Sequence, residues 1–210
     1  MCIIAAKPAG VRMPTRERID LMWKNNPHGA GLMYVKNGAV QVEKGFMTLE
    51  SFYQRLDQLD HEMDLTAADV VLHFRVASKG DVCPEFCHPF PVSGDDSELK
   101  SLCIATDVAM VHNGNIPEFI NPLCPDTMNY VKGQMVHLFR MDPHFYKNPH
   151  ALNLIARATR NSFVVLLAAS GDMVTIGSHY FESEGILYSN RSFEESPLGY
   201  TIYSKGQKIF

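Results

Sequence analysis

The order of the secondary-structure signals predicts an α+β domain, with strands gathered toward both ends of the chain and helices grouped between them. Two observations carry this. Asn37-Gly38 sits between two apolar runs and is the dipeptide most typical of a two-residue hairpin, which pairs antiparallel strands. The regular strand–helix alternation that builds a parallel sheet is missing. At 210 residues, 46% hydrophobic and 20% charged, the chain reads as one globular domain, residues 1–210, able to bury a sizeable core.

Taken in order, residues 3–6 (Ile-Ile-Ala-Ala) read as a short buried strand. Ile19, Met22 and Trp23 fall at helical spacing within 16–24, and Pro27, Gly29 and Gly31 close that helix in a tight loop. Residues 32–35 and 40–44 are the hairpin strands. Thr48 is placed to cap a helix whose apolar face is Leu49, Phe52, Tyr53, Leu56 and Leu59. Residues 70–77 read as a strong strand, and 79–98, rich in Gly, Pro, Asp and Ser, as a long loop of a length that is often functional. A strand follows at 109–112. Asp126-Thr127 starts a helix to about 139, with Gly133 as its weak point, and Asn148-Pro149 starts another to about 160. Four strand candidates close the chain, at 162–168, 173–176, 185–188 and 199–203.

Nineteen basic against 23 acidic residues leave a net charge of −4 without a Lys/Arg run, so neither nucleic acid nor a membrane surface is an expected partner. No apolar stretch reaches membrane-span length, and no basic segment with an apolar core opens the chain. Five cysteines, odd in number and sparse, suit free thiols in a reducing cytoplasm.

Cysteine is the second residue. Removal of Met1 would leave Cys2 with a thiol and a free α-amine, and the amine, with an ordinary pKa of about 7.7–8.0, can take the proton of its own side chain. Four further segments line up behind it: Asn26-Pro27-His28-Gly29-Ala30-Gly31, His73-Phe74-Arg75-Val76-Ala77-Ser78-Lys79-Gly80, His88-Pro89-Phe90, and Val111-His112-Asn113-Gly114-Asn115-Ile116. In order and spacing they resemble the glutaminase domain of class II, N-terminal nucleophile, glutamine amidotransferases. The motifs run from Cys2 to about Thr127, and the later strands, with Gly185-Ile186-Leu187-Tyr188-Ser189-Asn190, are similar to those of stand-alone bacterial and phage members.

The resemblance implies a four-layer αββα sandwich of two mainly antiparallel sheets between helical layers. It also implies hydrolysis of L-glutamine to glutamate and ammonia through a Cys2 thioester, with no cofactor and no metal. On the same basis the Asn113 carboxamide and Gly114 N–H hold the oxyanion. Arg75 and Ser78 take the substrate carboxylate, and Asp126, otherwise a helix-capping residue, takes its ammonium. His73 and His112 are expected to hydrogen-bond backbone rather than act as bases, and Asn190 to be a strand-end polar residue. An acceptor-activating synthetase subunit would act in trans.

The chain departs from the family where His28 stands for a common Asp and Asn26 for a common Arg. Three other readings stand beside this one: an amidohydrolase acting on another γ-glutamyl or amide substrate, a non-catalytic domain repurposed to bind a partner, and zinc held by Cys83, Cys87 and His88 with Cys103 or Cys124.

Overall fold

In the computed structural model, residues 2–77 and 81–195 are described, together with the backbone of two short strands, Tyr203–Ser204 and Gln207–Lys208. The strands are β1 (Ile3–Lys7), β2 (Ala30–Lys36), β3 (Ala39–Phe46), β4 (Val70–Phe74), β5 (Phe90–Pro91), β6 (Cys103–Thr106), β7 (Val108–Asn113), β8 (Phe163–Ala168), β9 (Met173–Ile176), β10 (Phe181–Ser183) and β11 (Ile186–Tyr188). They form a seven-stranded sheet in the order β10-β11-β1-β4-β2-β3-β6 and a four-stranded sheet in the order β5-β7-β8-β9. Every pairing in both is antiparallel. The protein is therefore a mixed α+β structure with two antiparallel sheets.

Period-two alternation divides each central strand between two cores. Ile3 and Ala5 of β1 and Leu32 of β2 face α1 (Arg16–Asn25) and α2 (Leu49–Glu62), where Ile19, Met22, Phe52, Leu56 and Leu59 meet them. Ile4 and Ala6 face the other way and pack with Ala109 and Val111 of β7 and Val165 and Leu167 of β8. The opposite residues of those strands, Met110, Val164 and Leu166, pack with Leu99 of α3 (Asp96–Lys100), Met128 and Tyr130 of α4 (Asp126–Tyr130), Leu138 of α5 (Val136–Met141) and Ile155 of α6 (Pro149–Ala158). Strands covered on both faces read as unbroken apolar runs. Each fully buried aliphatic side chain contributes on the order of 1.5–3 kcal/mol.

The capping signals work as local chemistry requires. Thr15 Oγ1 accepts from Arg18 N at 3.4 Å, Thr48 Oγ1 from Ser51 N at 3.2 Å, and Asn148 Oδ1 from His150 N at 2.9 Å. Among the described residues no helix is long and apolar enough to cross a membrane.

Several boundaries differ from expectation. The strand foreseen over 70–77 ends at Phe74, because Arg75 leaves the ladder to bond the Gly-rich turn: Arg75 N donates to Gly29 O at 2.8 Å, and His28 N donates to Arg75 O at 2.9 Å. The loop foreseen over 79–98 holds a 3₁₀ turn at Pro84–Phe86, the two-residue β5 and the start of α3. The helix foreseen from Asp126 to about 139 is interrupted at Val131–Met135 by a π-helical turn containing Gly133. β6 and β10 were not foreseen; β6 alternates exposed and half-buried positions, and its signal is weak. The last strand candidate, 199–203, lies almost wholly outside the described residues.

Candidate active site

Cys2 immediately precedes β1 and is half-buried. Its sulfur lies 3.5 Å from Val76 O and 3.4 Å from Val76 N, so both backbone polar groups of Val76, in the segment following β4, meet it. Burial pushes the thiol above its ordinary pKa, while the Val76 N–H and the Arg75 guanidinium pull the other way by favouring the thiolate. Asn190 Nδ2 donates to the Cys2 carbonyl at 2.7 Å. Asn190 is thus a direct partner of the candidate nucleophile, not merely a polar residue at a strand end. Its Oδ1 accepts from Ser192 N at 2.9 Å and Ser192 Oγ at 2.5 Å, and Asn26 Nδ2 donates to Ser192 Oγ at 3.2 Å and to Met22 O at 2.8 Å. Asn26, one of the two departures, therefore ties the end of α1 to the segment that holds Cys2.

Four of the residues assigned roles in glutamine hydrolysis, Cys2, Arg75, Gly114 and Asp126, line one cleft, and His88 and His112 are in its wall. Asn113, next to Gly114, is not itself among the lining residues; it is 8% exposed, with Nδ2 donating to Ser189 Oγ at 2.8 Å. Gly114 has a packing reason as well as a chemical one. A Cβ there would come within 2.5 Å of Ser162 Cβ and 2.9 Å of His112 Nε2.

Arg75 is 3% exposed, and its Nη1 donates to Asp81 O at 2.9 Å. Ser78 lies outside the described residues. The Asp126 carboxylate organises its own surroundings. Oδ2 accepts from Ile116 N at 2.7 Å and Oδ1 from Thr127 N at 2.7 Å, which fixes the loop after Gly114 to the start of α4. A carboxylate has about four acceptor sites, so these bonds leave capacity for a cation in the cleft.

The histidines behave differently from expectation. His112 bonds side chains rather than backbone: Nδ1 is 3.0 Å from Thr127 Oγ1 and Nε2 is 2.7 Å from Ser162 Oγ. Ser162 Oγ donates to Thr159 O at 2.5 Å, so Ser162 must accept from His112 Nε2–H, and Nδ1 accepts from Thr127. Burial, against the pull of the Asp126 carboxylate, holds His112 down to about 4. His73 is buried and stacked on His88 with centroids 4.2 Å apart, and neither ring makes a hydrogen bond of ordinary geometry. Burial and the Arg75 guanidinium, against a smaller opposing pull from the His112 backbone, hold His73 down to about 3. Both rings are neutral at physiological pH and serve as packing. His28, the second departure, accepts from Ala77 N through Nδ1 at 2.9 Å and so steadies the peptide beyond the Cys2 cradle.

Zinc binding finds no support in the donor geometry. Among the described residues no three His, Cys, Asp or Glu side chains gather where they could hold a metal ion. Cys83, Cys87, Cys103 and Cys124 are free thiols. Cys87 sulfur packs against His28 O at 3.9 Å and Cys83 O at 3.8 Å, and burial pushes it up to about 11. Gly31 explains why this segment can cross β2: a Cβ there would lie 2.1 Å from His88 O.

Val76 and Thr127 line the cleft and Ser189 meets Asn113, yet the sequence pattern does not mark any of the three as a neighbour of the site. Ser189 and Thr127 lay inside the motifs, but nothing in a linear pattern says which hydroxyl meets which amide. No protein-family model matches this sequence, and comparison with curated proteins likewise gives no match.

Proposed function

We propose that this chain is a class II glutamine amidotransferase domain that hydrolyses L-glutamine to glutamate and ammonia through a Cys2 thioester. The observation that carries the reading is that the cysteine at position two shares one cleft with a buried arginine, an acidic residue and a glycine beside an asparagine carboxamide. The three cores, one between the sheets and one outside each, support a four-layer αββα sandwich of the N-terminal nucleophile hydrolase type.

After Met1 is removed, the Cys2 α-amine takes the thiol proton. The thiolate attacks the side-chain amide carbon of glutamine, and the carbonyl π pair moves to oxygen. Asn113 Nδ2–H and Gly114 N–H stabilise that oxyanion; each such donor contributes about 2.7–4 kcal/mol to the transition state. The oxyanion collapses, the C–N bond breaks, and the departing nitrogen takes the proton held by the α-ammonium. Water, deprotonated by the same amine, cleaves the thioester to glutamate and regenerates the thiol. Arg75 and Ser78 orient the α-carboxylate, Arg75 with a planar fork suited to two parallel hydrogen bonds, and Asp126 orients the α-ammonium. The ammonia passes to an acceptor-modifying subunit in trans.

Intact mass spectrometry after exposure to a glutamine-analogue chloroketone tests the reading. One adduct on Cys2 of a chain lacking Met1, blocked by excess L-glutamine, is expected. A chain that keeps Met1, or whose adduct glutamine does not suppress, refutes it.

A further inference from the structure

We infer that Ser189 is a positioning residue for the oxyanion donor, its hydroxyl fixing the orientation of the Asn113 carboxamide against the strand that carries Cys2; the inference rests on the glutaminase reading above. Asn113 ends β7 of the four-stranded sheet, whereas Cys2 adjoins β1 of the seven-stranded sheet. The two sheets meet through apolar side chains, which set spacing but not the direction of a polar group. Ser189 supplies that direction. It follows β11, whose ladder with β1 pairs Ala5 with Tyr188, and it extends that ladder by one unusual step. Ser189 N donates to Ile4 O at 3.1 Å, but Ile4 N donates to Ser189 Oγ at 2.9 Å. The hydroxyl is thereby locked to the backbone two residues from Cys2, and its second lone pair takes Asn113 Nδ2 at 2.8 Å.

An asparagine χ2 torsion is broad and roughly two-fold, so its amide plane has little preference of its own. An inverted Asn113 would turn its own carbonyl oxygen toward a developing oxyanion and repel it. In the arrangement observed, the bond to Ser189 holds the carboxamide plane with Nδ2 on the Ser189 oxygen and leaves the second N–H of that nitrogen for the oxyanion. The neighbouring residue, Asn190, holds the Cys2 carbonyl at 2.7 Å, so one dipeptide sets nucleophile and oxyanion donor relative to each other.

The test is steady-state glutamine hydrolysis by the purified, Met1-free chain. Ser189→Ala is expected to lower kcat roughly tenfold with KM within about twofold of wild type, the signature of an interaction used only in the transition state. In an Asn113→Ala background the same substitution is expected to change kcat by less than about twofold, because Ser189 then has no carboxamide to orient. Ser189→Thr, which keeps the hydroxyl, should restore kcat, and Ser189→Cys, a weak acceptor of similar size, should fall between Thr and Ala; these two serve should Ser189→Ala fold poorly. A wild-type kcat in Ser189→Ala or Ser189→Cys overturns the inference, as does a full tenfold loss in the Asn113→Ala background, which would route the effect through Ile4. A wild-type chain that hydrolyses no glutamine, with Cys2 unlabelled by the chloroketone, overturns the glutaminase reading itself and this inference with it.

Discussion

Asn190 Nδ2 donates to the Cys2 carbonyl across 188 positions of sequence at 2.7 Å. The bond fixes the peptide that follows the candidate nucleophile, while the N–H and C=O of residue Val76 both face its sulfur. Cys2 is thus tied at its carbonyl and at its sulfur while it lines the cleft.

Cys2→Ala is expected to abolish glutamate release while the protein keeps its fold, since removing the sulfur gives up two weak hydrogen bonds with Val76. Glutamate assay and thermal melting check it. Glutaminase activity at the wild-type level would remove Cys2 from the reaction.

Arg75→Lys keeps the charge and loses the planar fork. It should raise KM for glutamine at least tenfold, about 1.4 kcal/mol of carboxylate binding, with a modest fall in melting temperature from the broken bond to Asp81 O. An unchanged KM would make Arg75 a structural residue of the segment after β4.

Asn113→Ala removes a donor expected to act on the oxyanion alone. Both kcat and kcat/KM should fall on the order of 10²–10³-fold, with KM little changed. If kcat holds while stability drops, Asn113 is only a tie between the sheets.

Gly114→Ala would force a Cβ within 2.5 Å of Ser162 Cβ and crowd the His112–Ser162 bond. Overpacking of this kind costs roughly 1–3 kcal/mol, to be read from denaturant unfolding. A variant as stable as wild type would mean that the β7–β8 end relaxes freely.

Stability should decline as pH falls below about 6.5, the ordinary histidine value, toward 4. His112 is held down to about 4 and His73 to about 3 by burial, and His88 is lowered as well, with Arg75 disfavouring the charged forms of His73 and His88 and Asp126 opposing the shift of His112. In that window the unfolded chain binds protons that the folded chain refuses, so the native state loses up to about 1.4 kcal/mol per pH unit per histidine. Urea titrations at several pH values test this. Replacing His112 by Asn should flatten the slope; a slope that is unchanged would mean that His112 charges without penalty in the fold.

Much of the architecture could be read in advance, because it rests on local chemistry. Thr15, Thr48 and Asn148 announce helix starts through side-chain oxygens that reach only a few residues ahead. Unbroken apolar runs such as 108–111 and 163–168 announce strands buried on both faces. The same locality explains the differences: β6 is short and has no buried position, Arg75 is drawn out of β4 by Gly29 and His28, and the π turn at Val131–Met135 holds Gly133, where a Cβ would lie 2.9 Å from the Phe119 ring.

The sequence by itself determined the chemical inventory: a cysteine at position two, a strand-end Arg75, an Asn113-Gly114 pair and an acidic helix start at Asp126. Only the tertiary structure decided their partners. It set Ser189 against Asn113, Asn190 against Cys2, Val76 beside the sulfur, and His112 between Thr127 and Ser162. The reason is physical. Backbone propensity and periodicity act over a few residues, whereas a hydrogen bond depends on tenths of an ångström between groups far apart in the chain, brought together by strand pairing within each sheet and, for Ser189 and Asn113, by the packing of one sheet on the other.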